Sequence, residues 1–99
     1  MVYVDNFNAR YRNMIMCHMV ADTTEELLTM CDKIDVNKKW IQDKGTYSEH
    51  FDICASKKQA ALHHGAQEIN FRDFARFCNA RANETNCDPQ YLKYLHGKN

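Results

Sequence analysis

Apolar residues along this chain switch between two spacings, every second residue and every third or fourth, and the switches divide it into short elements. Val2-Tyr3-Val4 reads as a first strand ending at Asp5, and Met14 to Val20 as a second. Asn6 to Asn13 between them is polar, carries Arg10 and Arg12, and reads as a long loop. Asp22-Thr23-Thr24-Glu25 resembles a capping box that opens a helix, on which Leu27, Leu28, Cys31 and Ile34 share one face. That helix should end near Asp35 to Asn37. Lys39-Trp40-Ile41-Gln42 predicts a third strand, Asp43-Lys44-Gly45-Thr46 a turn, and His50 to Cys54 another extended segment. Ser56-Lys57-Lys58-Gln59 reads as a second capping box, and Gly65 stands where a left-handed C-terminal cap belongs. Gln67 to Ile69 is a candidate edge strand, after which Asn70 caps a helix striped by Phe71, Phe74, Ala75 and Cys78. Asn83 to Cys87 reads as a linker to a last short helix framed by Asp88, Pro89 and Gly97.

Strands alternating with helices predict an α/β fold: a single small domain, with a mixed sheet of four to five short strands flanked by three to four helices. The expected division is a compact α/β domain over 1–82 and a linker with a short C-terminal helix over 83–99. Ninety-nine residues suffice for one core and leave room for one site. Thirteen basic and thirteen acidic residues cancel, so no global field draws the chain to nucleic acid or to an anionic membrane. No long apolar run and no leader segment stand out, so neither a membrane span nor secretion is expected, and the cytoplasm is the expected location. Five cysteines without any C-x-x-C pair describe neither a disulfide framework nor a zinc ribbon; Cys31, Cys54 and Cys78 read as small hydrophobes.

The candidate chemistry follows from the same alternation. His50 and Asp52 stand two apart on an extended segment and share a face, while Phe51 and Ile53 take the other. His18 is the polar exception in the stripe Met14, Met16, His18, Val20; Cys17 beside it points the opposite way and does not form a nucleophile and base pair with it. Imidazole nitrogens and carboxylate oxygens suit a divalent metal ion, for which His18, His50 and Asp52, with Asp5 and Asp22, are the candidate ligands. An ion with an open coordination position activates water for attack on a phosphodiester or related ester. Without metal, His18 or His50 can serve as general acid or base, and on the plainest reading His18 is half-buried and hydrogen-bonded while Asp22 is only a helix cap. An anionic substrate or nucleotide finds Lys57 at a helix N-terminus, Arg12 on the loop, Trp40 or Tyr47 to stack on a base, and Gln42. The plain alternative has the lysines solvated and Trp40 anchoring the core.

Val2-Tyr3-Val4-Asp5, Cys17-His18-Met19 with Ala21-Asp22-Thr23 and Glu26-Leu27, Trp40-Ile41-Gln42, His50-Phe51-Asp52 and Gly65-Ala66 resemble, in this order, a family of small bacterial and bacteriophage proteins, domain of unknown function 4031. The resemblance covers about the first seventy residues, a span typical of a minimal domain. It implies a stand-alone α/β protein in a bacterial or phage-infected cytoplasm, with polar positions at Asp5, His18, Asp22, His50 and Asp52, and it brings no activity. Where many relatives are expected to carry a histidine after the Glu-Leu pair, this chain has Leu28. The leading expectation is a small hydrolase or nucleotide-processing enzyme, metal-assisted or not, with His18, His50 and Asp52 as its catalytic groups. Against it stands a non-catalytic bacteriophage module that engages a host protein or a nucleotide ligand through its loop or C-terminal helix, a helix that could also pair two copies in a homodimer.

Overall fold

A computed structural model of the protein describes residues 1–6, 9–11 and 13–85, and of 9, 11 and 83–85 the backbone alone. Five strands, β1 (Val2–Asp5), β2 (Ala9–Tyr11), β3 (Met14–Ala21), β4 (Phe51–Cys54) and β5 (Gln67–Ile69), form one mixed sheet; its helices are α1 (Thr24–Ile34), α2 (Ala55–His63) and α3 (Phe71–Thr85). The expected α/β class holds. β3 is the spine. Met16 pairs with both Ala9 and Cys54, and Met19 with both Val4 and Phe51, so β4 runs along one side of β3 while β1 and β2 share the other. These pairs are antiparallel, and β5 adds beyond β1 in parallel.

The alternation of β3 sorts its residues into two packed layers. Cys17, Met19 and Ala21 join Val2, Val4, Phe51 and Ile53 in a cluster with Leu27, Met30, Cys31 and Ile34 of α1 and Ala61 of α2. On the opposite face Val20 packs with Phe74 and Cys78 of α3, flanked by Tyr3, Ile69 and Phe77. Complete burial of residues such as Phe51 and Leu27 contributes about 1.5–3 kcal/mol apiece.

Local chemistry shifts several boundaries. The Thr23 hydroxyl accepts the Glu26 N–H at 3.1 Å, so the capping box is Thr23–Glu26, one residue beyond Asp22–Glu25. The predicted strand Lys39–Gln42 is instead a 3-10 turn, Lys38–Trp40, because the Asn37 side chain accepts the Lys39 N–H at 3.0 Å and draws the backbone into a cap. Only Gln42 pairs as a strand would, in an isolated bridge to His50. Trp40 is 65% exposed and does not anchor the core; Ile41 packs there. Ser56 is already inside α2, whose cap position is Cys54 and carries no side-chain cap. The supposed loop after β1 contains β2. Gly65 takes the expected positive φ of 99°. α3 continues through Thr85 and absorbs the start of the expected linker; the remaining linker and last helix lie outside the described residues. Among the described residues no helix is long and apolar enough to cross a membrane.

Candidate functional site

Strand register assembles the site. His18 of β3 lies directly across from Asp52 of β4, and on its other side β1 ends with Asp5, one residue past the Val4–Met19 pair. Asp5, His18 and Asp52 therefore form a row across the sheet face that α3 covers. His50 comes in beside them because its backbone exchanges both hydrogen bonds with Gln42, at 2.9 and 3.1 Å.

Each ring is oriented by an acceptor at its δ nitrogen. Asp5 is fully buried; its Oδ1 accepts the His18 backbone N–H at 2.9 Å and its Oδ2 the His18 Nδ1–H at 2.7 Å. His50 Nδ1–H donates to the Ser48 carbonyl at 2.6 Å. Carboxylates and carbonyls only accept, so both rings carry their proton on Nδ1 and, when neutral, present the Nε2 lone pair. Asp52 Oδ1 lies 3.5 Å from His50 Nε2 and 3.9 Å from His18 Nε2, while its Oδ2 accepts the Gln42 side-chain N–H at 2.7 Å. One ligand atom from each of His18, His50 and Asp52 falls within 4.8 Å of the others.

A tetrahedral ion at its usual bond lengths sets ligand atoms about 3.3 Å apart, and the Asp52 Oδ1 distances of 3.5 and 3.9 Å to the two ε nitrogens lie close above that spacing. The trio is the two-histidine, one-carboxylate set that leaves coordination positions open. Asp5 and the Ser48 carbonyl stand where the outer partners of metal-bound histidines stand. Phe74 of α3 stacks on the His18 ring, with centroids 4.9 Å apart and planes 13° from parallel. Burial disfavours the charged His18 ring, but its hydrogen bond to Asp5, the Asp5 charge and then that of Asp52 outweigh burial and raise its pKa.

Of the candidate residues, Asp5, His18, Gln42, His50 and Asp52 are brought together, and Asp22, Lys57 and Trp40 stand elsewhere. Asp22 lies four residues beyond His18 on the chain and pairs with the Met1 amino group at 3.4 Å. Lys57 does not meet an anion at the start of α2: its ammonium donates to the carbonyls of Ile34 and Asp35 at 2.9 and 3.3 Å and so caps α1. Lys58 pairs with Glu68 at 2.6 Å. Trp40 is exposed on the 3-10 turn, with the Lys39 ammonium 5.8 Å from its ring. Arg12 lies outside the described residues. Cys17, as its place in the alternation requires, is buried on the opposite face, where burial pushes its thiol up to about 12. An open groove of roughly 590 Å³ over α1, lined by Glu25, Leu28, Lys33 and His64 among others, contains none of the cluster residues.

Two contributors lie beyond what the spacing of residues reveals. The Ser48 carbonyl carries no side-chain signal at all. Glu49 is fully buried; it accepts both the Thr24 hydroxyl, at 2.8 and 2.9 Å, and the Gly45 N–H, at 2.9 Å, and lies 4.0 Å from the Arg81 guanidinium. The turn before β4 is thereby tied to α1 and α3, and with it the backbone that carries His50. Its sequence signal was adjacency alone, an acidic residue next to His-Phe-Asp.

A family model described as a protein of unknown function, DUF4031, matches residues 2–81, which include every residue of the cluster and most of α3. No curated protein and no solved structure matches the chain.

Proposed function

From a chain that belongs to the DUF4031 family, whose description carries no activity, we propose a divalent-metal-dependent hydrolase acting on a phosphodiester or related ester, with its centre at His18, His50 and Asp52. The observation that carries this reading is the approach of Asp52 Oδ1 to both ε nitrogens while an outer acceptor holds each ring at Nδ1. A bound ion of this class, with an open position, lowers the pKa of water toward neutrality and polarises the ester oxygen. Asp5 fixes the His18 tautomer and strengthens its basicity, and the Ser48 carbonyl fixes the tautomer of His50. Phe74 shields one face of His18, leaving approach from the side of half-exposed Asp52. Trp40, exposed two residues before Gln42, suits stacking against a nucleobase and extends the reading to nucleotide esters.

The test is native mass spectrometry of protein purified without chelator, followed by addition of zinc, manganese and ferrous ions, on the parent chain, His18→Ala and His50→Ala. One ion per chain, lost in both variants while circular dichroism is unchanged, and accompanied by hydrolysis of bis-p-nitrophenyl phosphate, supports the proposal. No uptake of any of the three ions overturns it. Stoichiometric metal with no turnover on phosphodiester, ester or nucleotide substrates leaves the non-catalytic binding module as the better account.

A further inference from the structure

Gln42 is the residue of this cluster whose placement looks least necessary for holding an ion, and it raises a question of metal choice. It sits at an isolated bridge whose two hydrogen bonds are backbone only, to the N–H and carbonyl of His50. That bridge sets the Gln42 side chain against Asp52, ten residues along the chain. A carboxylate accepts only, so the amide nitrogen faces Oδ2, at 2.7 Å. The other oxygen, Oδ1, is the one that faces both histidines. A carboxylate grips an ion with two oxygens only when both are turned toward it, and an N–H pointed at Oδ2 places a partial positive charge where a cation would then lie.

Resting on the metal reading above, we propose that Gln42 is a positioning residue that locks Asp52 as a one-oxygen ligand and thereby selects a small, low-coordinate, nitrogen-tolerant ion of the zinc class over larger, oxygen-preferring ions such as manganese. With Oδ2 engaged, the protein supplies two nitrogens and one oxygen, the donor set of an open zinc site. Releasing Oδ2 raises the donors from three to four and favours ions that take more oxygen ligands at longer bonds. Selectivity is thus set one residue beyond the ligands, through the orientation of Asp52.

The experiment titrates the parent chain, Gln42→Met and Gln42→Lys with Zn²⁺ and with Mn²⁺ against a chelating dye. Methionine matches glutamine in length but donates nothing; lysine restores an N–H donor. Neither touches the backbone bridge, so folding, read by urea denaturation, is expected to be unchanged. The expected result is a fall in the Zn²⁺ over Mn²⁺ affinity ratio of about tenfold or more in Gln42→Met, the scale of outer-partner effects on metal sites, with the ratio restored in Gln42→Lys. Loss of both affinities by the same factor, or no change in either, overturns the role of Gln42 while leaving the metal site standing. Failure of the parent chain to bind either ion overturns the metal reading itself.

Discussion

The two faces of one sheet differ here as much as two proteins do. Toward α1 and α2, the odd residues of β3 and their neighbours on β1 and β4 form a dry cluster in which Val4, Met19, Ala21 and Phe51 have no exposure at all. Toward α3, the even residues place His18 next to a fully buried carboxylate and across from Asp52, with only Val20 in a small apolar cluster. Adjacent residues such as Phe51 and Asp52 belong to different worlds because successive side chains point to opposite faces. A domain of this size cannot devote separate elements to core and chemistry, so each strand carries both. Changes on one face should therefore register as stability and on the other as binding.

The largest effect expected is on the dry face. Phe51→Ala should cost about 3–5 kcal/mol, near the whole stability of a small domain, and metal uptake should disappear with the fold. Its neighbour Asp52→Ala, on the half-exposed side, should change stability by less than about 0.5 kcal/mol and still abolish metal uptake. Urea denaturation and metal titration of the two variants side by side measure this. If Asp52→Ala unfolds the chain, the separation of the faces is wrong.

A finer contrast lies between the two carboxylates buried among the described residues. Asp5 serves a cluster histidine, whereas Glu49 serves a turn, a helix start and the neighbourhood of Arg81. Asp5→Asn and Glu49→Gln should each cost about 1–3 kcal/mol, since each removes charge-assisted hydrogen bonds from a buried site. Only Asp5→Asn should also weaken metal binding, by about ten- to a hundredfold. The pH dependence separates them too. Folding raises the His18 pKa, so the native chain binds more protons than the unfolded one; this stabilisation is complete below the ordinary imidazole range and is lost as pH rises through the raised value. Urea midpoints of chelator-treated protein between about pH 5 and about pH 9 should show this fall, and Asp5→Asn should diminish it. An undiminished fall in Asp5→Asn would mean that Asp5 does not set the titration of His18.

Much of this contrast was legible in the chain. Period-two alternation gave the faces of β3 and β4, so the shared face of His50 and Asp52 and the separation of Cys17 from His18 could be read directly. What joined Asp5 to His18 was strand order, and the antiparallel β1–β3 register that supplies it depends on long-range packing that no local pattern encodes. Local rules misled where two caps competed. Asn37 drew Lys38–Trp40 into a 3-10 turn although the residues favoured a strand, and Lys57, which resembled an anion contact, is consumed by the carbonyls that end α1. The burial of Glu49 was not legible because a glutamate in a polar turn before an alternating strand ordinarily signals a solvated position, and the convergence of Thr24, Gly45 and Arg81 is what makes its burial tolerable.

The smallest effect expected is chemical, and it reads the two faces through their thiols. Cys17 of β3 and Cys31 of α1 both lie in the dry cluster, and burial pushes both thiols up to about 12. At pH 8 about one such group in ten thousand is a thiolate, so alkylation should pass them by as long as the sheet stays closed. Cys54 alternates with Asp52 onto the other face, and its thiol is lowered by the hydrogen bond with Ser56 and by the backbone N–H groups at the start of α2. In a Cys87→Ser variant, brief iodoacetamide treatment followed by peptide mass spectrometry should find a single modification, at Cys54, with Cys78 protected by its burial against Val20 and Phe74. Labelling of Cys17 at a comparable rate would mean that the dry face opens as readily as the wet one, and the stability contrast between Phe51 and Asp52 would then lose its basis.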